Sequence, residues 1–290
     1  MRRFFQWLAC IALTAGALPA HAEPLKVVAS FSILGDLVRN VGGNAVEVAT
    51  LVGPDSDAHV YSPTPADVKK IAGAGLIVVN GLGFEGWLPR LVQSSGGKAR
   101  IVIASEGIAP LRLGTAADPH AWQSVGNAKI YVSNIQAALS AADPAGAAQF
   151  RANADIYLAK LDALDREVRD AVAKLPPARR KVISTHNAFG YLAAAYGIEF
   201  IAPLGVSTES EPSARDIAGI IAQVKQAKIP AVFLENVTDP RLMQRIAAET
   251  GARVGGTLYS DGLTGEKGDA PTYIDMVRHN IRALTRALGD

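Results

Sequence analysis

The chain has 290 residues, 49% of them apolar and 19% charged, with a formal net charge of +2. Such a composition belongs to an ordinary globular protein with core enough for two modest domains. It excludes a general electrostatic footprint for nucleic acid or an acidic membrane, and a lone cysteine, Cys10, excludes a disulfide framework.

The first residues have the pattern of an export signal. Arg2 and Arg3 precede an apolar run from Phe4 to Leu18, and Ala20-His21-Ala22 offers a small-x-small cleavage site. The expectation is a signal peptide over 1–22, cleaved after Ala22, and a protein located in the periplasm. A lipoprotein signal ending at Cys10 is set aside because "WLAC" leaves too short an apolar run before the cysteine. Loss of Cys10 and His21 leaves a thiol-free chain with four histidines, so any metal site must use nitrogen and oxygen ligands. No later stretch is long and apolar enough to span a bilayer.

Strand-like and helix-like stretches then alternate. "LKVVASF" predicts a strand and "ILGDLVRNV" a helix. "VEVATLV" predicts a second strand, followed by the loop "DAHVYSPTP" and a helix opening at Pro65. "LIVVNG", the helical "FEGWLPRLVQSS" and the strand "ARIVIAS" complete the first series. Continuous β-branched runs between helices point to a parallel sheet covered on both faces. A loop with "ADPHAWQS" leads into the helical "NAKIYVSNIQAALSAAD". Asp143-Pro144 then marks the start of a long helical run, with Asp143 as N-cap and apolar residues at Ile156, Leu158, Leu161, Leu164, Val168 and Val172. From Pro144 to Leu175 such a helix would be roughly 45 Å long, which suits a connector running along two domains.

After "LPPARR" the alternation restarts. The strands are "KVISTH", "IEFIAPLGV", "PAVFLEN" and "ARVGGTLYSD", and the helices include "NAFGYLAAAYG", "SARDIAGIIAQVKQAK" and "DPRLMQRIAAETG", with "TYIDMVRHNIRALTRAL" closing the chain. The predicted fold is α/β. It has two domains with mostly parallel four-stranded sheets, joined by one long connecting helix, with a metal site in the cleft between them. The expected boundaries are 23–142, 143–176 for the connector, and 177–290.

Open α/β sheets bind ligands beyond the carboxyl ends of their strands. His59 follows the second strand, His120 the fourth, and His186 ends the first strand of the second half. Asp261 follows the last strand. Taken singly, each loop histidine has the look of a surface residue, and Asp261 before Gly262 that of a turn residue or helix cap. Their common placement, two from each half, makes them candidates for one interdomain site, and three imidazoles with one carboxylate suit zinc. His279, inside a helix, is left as a helix-face residue. Pro119 and Trp122 stiffen and shield the approach of His120; Tyr61, Pro63 and Pro65 support the loop of His59. Asp57 and Asp118, each two residues before a histidine, and Glu235, ending a strand, are candidates to orient imidazoles. Glu209 and Glu211 are expected at a helix start, with a place on the cleft rim as the alternative.

With these residues in view, the chain resembles the zinc- and manganese-binding solute-binding proteins of ABC importers, which have a rigid helix between two α/β domains. The carrying segments are "HVYSPTPADV", "DPHAW", "STHNAFGYLAAAYG" and "GGTLYSDGL", supported by "VVASFSILGDLV" and "FLENVTDPRLMQRIAAETGA". The resemblance implies that His59, His120, His186 and Asp261 hold a divalent ion. It also implies a monomeric periplasmic protein that is not an enzyme and that docks on an inner-membrane permease powered by an ATPase. A metallochaperone is a candidate loader. Zinc specialists of that group often carry a His- and acid-rich loop, which "LRLGTAADPH" is not. Manganese-selective relatives typically have glutamate where this chain has His186. The nitrogen-rich set and the Irving–Williams order favour Zn2+, with Mn2+ as the alternative.

Two other classes stand against this reading. A zinc hydrolase would need an open coordination position and a general base, and the chain has no "HExxH". A binder of an organic solute or iron chelate would need a roomier aromatic or arginine-lined cleft, for which Trp87 and Trp122 are too few.

Overall fold

The structure, a computed structural model, describes residues 23–289. The proposed signal peptide, with Cys10 and His21, lies outside the described residues. The first sheet comprises β1 (Leu25–Phe31), β2 (Val46–Val52), β3 (Leu76–Val79) and β4 (Arg100–Ile103), all parallel, in the order β2-β1-β3-β4. Helices α1 (Ser32–Gly42), α2 (Pro65–Ala72) and α3 (Leu88–Ser95) connect them. Apart from its first two residues β1 is buried throughout, as a strand covered on both faces must be. Helix α2 starts where Asp67 accepts hydrogen bonds from Thr64 N at 2.9 Å and Thr64 Oγ1 at 2.7 Å, with Pro65 in its first turn.

A small antiparallel hairpin follows, β5 (Arg112–Leu113) with β6 (Ala116–Ala117), in the stretch expected to be plain loop. Helices α4 (Val125–Ala142) and α5 (Ala147–Ala173) come next. Helix α5 is the connector. It has 27 residues, about 40 Å at the usual rise, and is shorter than the expected run because Pro144–Gly146 forms a tight 3-10 turn instead. Asp143 accepts from Gly146 N and so caps that turn. The buried face of α5 is Phe150, Ala154, Tyr157, Leu161, Leu164, Val168 and Val172, alternating at spacings of three and four. Ile156, counted above in the apolar stripe, faces solvent at 59% exposure, and Tyr157 takes the place beside it.

The second sheet repeats the first. Strands β7 (Lys181–Ile183), β8 (Glu199–Ile201), β9 (Ala231–Glu235) and β10 (Arg253–Leu258) are parallel in the order β10-β9-β7-β8. They are linked by α6 (Gly190–Tyr196), α7 (Ala214–Ala227) and α8 (Arg241–Thr250). Numbered by chain position within each half, both sheets share one strand order, second-first-third-fourth. The expected α/β architecture, two parallel four-stranded sheets and one long helix, is what the chain adopts.

The two halves are not free to swing widely. The last helix, α9 (Tyr273–Gly289), packs on β10, α5 and α1. Asp36 of α1 accepts from Tyr273 N at 2.9 Å and so caps α9 from the other half, while Tyr273 Oη donates to Trp122 O at 2.6 Å. One apolar cluster runs continuously from Val27 in β1 through α5 to Leu288 in α9. Among the described residues no helix is long and apolar enough to cross a membrane.

Candidate metal centre

Strand ends deliver the four predicted residues. His59 lies in the irregular segment 53–64 between β2 and α2. His186 comes three residues after β7 and bridges to Leu204. Asp261 comes three residues after β10. His120 follows the β5–β6 hairpin rather than β4 directly, and opens the 3-10 turn Ala121–Gln123.

All four meet at one point. His120 Nε2 lies 3.2 Å from His59 Nε2 and 3.3 Å from His186 Nε2. The Asp261 carboxylate lies 3.5 Å from His59 Nε2, 3.4 Å from His120 Nε2 and 3.1 Å from His186 Nε2. A tetrahedron with zinc–ligand bonds of about 2.0–2.1 Å has edges of about 3.3–3.4 Å. The spacings from His120 Nε2 to the other two rings fall near that value, the carboxylate spacings are shared between Oδ2 (His59, His186) and Oδ1 (His120), and all four donors lie within 4.8 Å of one another. His120, His186 and Asp261 are fully buried, and His59 is 8% exposed. Neither Asp261 oxygen accepts a hydrogen bond from any group outside this cluster, an arrangement that a buried carboxylate tolerates only beside a positive charge.

Two further carboxylates set the imidazoles. Asp118 Oδ1 accepts from His120 N at 2.9 Å and lies 2.7 Å from His120 Nδ1, so both backbone and ring are held. The Asp118 segment is itself pinned, since Asn80 Nδ2 donates to Pro119 O at 2.9 Å and Tyr191 Oη to Asp118 O at 3.0 Å. Glu235, ending β9, accepts from Thr185 N at 2.7 Å and His186 N at 3.1 Å through Oε1, and its Oε2 lies 2.6 Å from His186 Nδ1. Asp118 is hydrogen-bonded to Nδ1 of His120, whereas Glu235 Oε2 lies at ion-pair distance from Nδ1 of His186 without hydrogen-bond alignment; in both rings Nε2 is left facing the cluster. Asp57 behaves differently from Asp118. It accepts from His59 N at 2.8 Å, and its other oxygen accepts from Thr208 rather than touching the His59 ring.

Burial pulls the His186 pKa down, but the charges of Glu235 and Asp261 overcome it and hold the ring well above the ordinary histidine value. Burial pushes the Asp261 pKa up, but the charges of His186 and His120 hold the carboxyl well below its ordinary range.

Aromatic rings wall the site off from water. Phe84 stands edge-on to His59 at 4.8 Å between centroids, and Trp122 edge-on to His120 at 5.2 Å. Trp122 also donates through Nε1 to Ser260 O at 2.9 Å, which ties the shielding ring to the segment bearing Asp261. Phe84 was not singled out in the sequence, although its segment "NGLGFEGW" begins at the carboxyl end of β3, where the strand-end rule would have directed attention. His279 is away from the cluster, with Nε2 3.0 Å from Thr257 O. Glu209 and Glu211 do not cap α7. Ser213 and Asp216 form its capping box, and Glu211 instead lines a cavity beside Asp57.

Four buried donor groups drawn from two sheets face one another in a cluster that could hold a cation. The chain belongs to the ZnuA family, zinc-uptake complex component A, periplasmic. The match covers residues 27–287. Among the curated relatives is the iron-binding protein YfeA of Yersinia pestis, 34% identical over 273 residues, covering 92% of this chain and 88% of the relative. Another is the manganese ABC transporter substrate-binding lipoprotein PsaA of Streptococcus anginosus, 29% identical over 98% of this chain and 96% of the relative. The solved periplasmic zinc-binding protein TroA of Treponema pallidum superposes with a TM-score of 0.88 at 32% identity, covering 92% of this chain and 99% of that one. The family consists of metal-binding substrate-binding components of ABC transporters, which work outside the cytoplasm with a membrane permease and an ATPase. Its members are carriers rather than enzymes, which removes the hydrolase reading.

The partners of the imidazoles carry a direct expectation. In Glu235→Gln the side-chain amide would donate to His186 Nδ1 and force the ring proton onto Nε2, the atom that faces the cluster. Competition titration should show divalent-ion affinity falling by about 10–100-fold with the melting curve of the metal-free protein preserved. Unchanged affinity would remove Glu235 from the site.

Proposed function

We propose that this chain is the periplasmic binding protein of a zinc importer. It captures Zn2+ through His59, His120, His186 and Asp261 and hands it to the inner-membrane permease. The ion would sit between an N-terminal unit (23–142) and a C-terminal unit (177–290), spanned by the connector (143–176). The observation that carries this reading is the Asp261 carboxylate, buried and facing three imidazole Nε2 atoms at 3.1–3.5 Å. Three imidazole nitrogens among four donors favour zinc over the harder manganese ion, and the Irving–Williams order adds to the preference. The family description names zinc, as does that of TroA.

Manganese is the second reading, and one feature favours it. Asp261 Oδ1 faces His120 while Oδ2 faces His59 and His186, so the carboxylate can engage an ion through both oxygens and supply a fifth donor. PsaA is named for manganese. Elemental analysis of protein purified without added metal, followed by zinc–manganese competition at matched free concentrations, decides between them. Zinc should be retained; preferential retention of manganese would overturn the choice. For the export step we propose cleavage after Ala22 and a soluble periplasmic product that acts as a monomer, with a metallochaperone as candidate loader.

A further inference from the structure

No ion can reach or leave three fully buried ligands unless something moves. His59 is the exception in two respects. It is the one ligand with any exposure, and it lies in the long irregular segment 53–64. The start of that segment is fastened to the neighbourhood of Asp261, since Asp55 N donates to Leu263 O at 2.9 Å. Farther along, Trp87 Nε1 donates to Ala58 O at 2.9 Å, a tie within the N-terminal half. Asp57, two residues before His59, joins two things at once. Its Oδ1 accepts from His59 N, and its Oδ2 accepts from Thr208 Oγ1 at 2.6 Å, a hydrogen bond that crosses from one half of the molecule to the other.

Thr208 is itself in an irregular stretch between β8 and α7, and is only half-buried. Beside this bond lies a cavity of about 180 Å3 lined by Asp57, Thr185, Thr208, Glu211, Thr238 and Asp239. Its wall reaches Thr185, the neighbour of His186, and beside apolar residues such as Leu204 and Leu242 it carries the three carboxylates of Asp57, Glu211 and Asp239. One water-accessible space therefore adjoins two ligand-bearing segments, and one hydrogen bond spans its side.

We propose that the Asp57–Thr208 hydrogen bond is the gate of the site. While it holds, His59 is kept against His120. When it breaks, the segment carrying His59 swings away and opens the shell on the side of the cavity. Asp57 and Thr208 are positioning residues in this scheme; neither touches the ion. The scheme rests on the reading of the four residues as zinc ligands. It places control of release in a contact between loops, which fits a molecule whose halves share one continuous core.

The test is the rate of zinc release from the loaded protein into excess chelator, followed by stopped flow and extrapolated to zero chelator. Thr208→Val keeps the shape of the side chain and removes the donor, so release should accelerate about tenfold, equivalent to about 1.4 kcal/mol. Thr208→Ser restores the donor and should release at close to the parent rate. Thermal melts of the metal-free variants should superpose on the parent, because a general loss of stability would move them and a gate would not. Release from Thr208→Val at the parent rate, or equal acceleration in valine and serine variants, would overturn the gate. A parent protein that takes up no zinc would overturn the ligand assignment itself, which is a distinct result.

Discussion

Replacing His120 by alanine should lower zinc affinity by well over a hundredfold while the protein still folds. The size of the loss follows from the position of the residue. His120 Nε2 is the nitrogen within 3.3 Å of both other imidazoles, so its removal takes out the shared corner of the shell. Loss of a partner behind a ligand typically costs 10–100-fold in affinity, and loss of the ligand itself must exceed that. The fold should survive because the cavity left beside Phe84 and Trp122 costs about 2–5 kcal/mol for a side chain of this size, and the Asp118 carboxylate keeps its backbone donor. Two measurements check it. Competition with a chromophoric chelator gives the affinity. A melting curve with and without zinc gives the linkage, since an ion at a hundred times its dissociation constant stabilises by about 2.7 kcal/mol and a site that no longer binds gains nothing. A variant with parental affinity would show that His120 is not a ligand.

The second large effect is that of acid. Zinc needs all three imidazoles deprotonated, and the metal-free protein holds His186 protonated above the ordinary histidine pKa. The ion must therefore displace a proton even at pH values where a free histidine has already lost one. Affinity should fall about tenfold per pH unit on this account alone, beginning above about pH 6.5. From pH 7.5 to 5.5 the loss should be at least about a hundredfold. The metal-free protein should respond in the opposite sense. A raised His186 pKa contributes stability that is present below the unfolded value and is lost as pH rises through the folded one. The lowered Asp261 pKa contributes stability that is present above the unfolded value of 3.8 and is lost only as pH falls through its depressed folded value. Mild acid thus favours the empty protein in two ways, by weakening the ion's hold and by preserving the His186–Asp261 pair. Affinity measured across this range, together with calorimetry in buffers of different ionisation enthalpy to count released protons, provides the check. A flat affinity profile with no proton release would contradict the assignment.

How far the sequence could be read differs from residue to residue. The convergence of His59, His120, His186 and Asp261 was legible because chain position relative to strands is a backbone property, and strand ends are readable from apolar runs bounded by turns. Orientation was not. Asp57 and Asp118 stand at the same offset from a histidine, yet Asp118 reaches the ring of His120 while Asp57 turns to Thr208. Only three-dimensional placement distinguishes them, because the second contact of each belongs to a partner far away in the chain. The same holds for Glu235, whose side chain serves a loop from β7 rather than its own, and for Ile156, where a helical repeat drifting around the α5 surface put Tyr157 inside. The β5–β6 hairpin escaped notice because its strands have two residues each, too few to leave a period.

The shared strand order of the two sheets has a consequence for the ion. A strict repeat would present equivalent pairs of donors from equivalent loops, and the ion would lie on an approximate twofold axis with two matching ways out. The donors break that equivalence. In the first half they come after the second and fourth strands, and in the second half after the first and fourth. The backbone is duplicated but the donor set is not, so an ion held there as proposed would meet two unlike flanks.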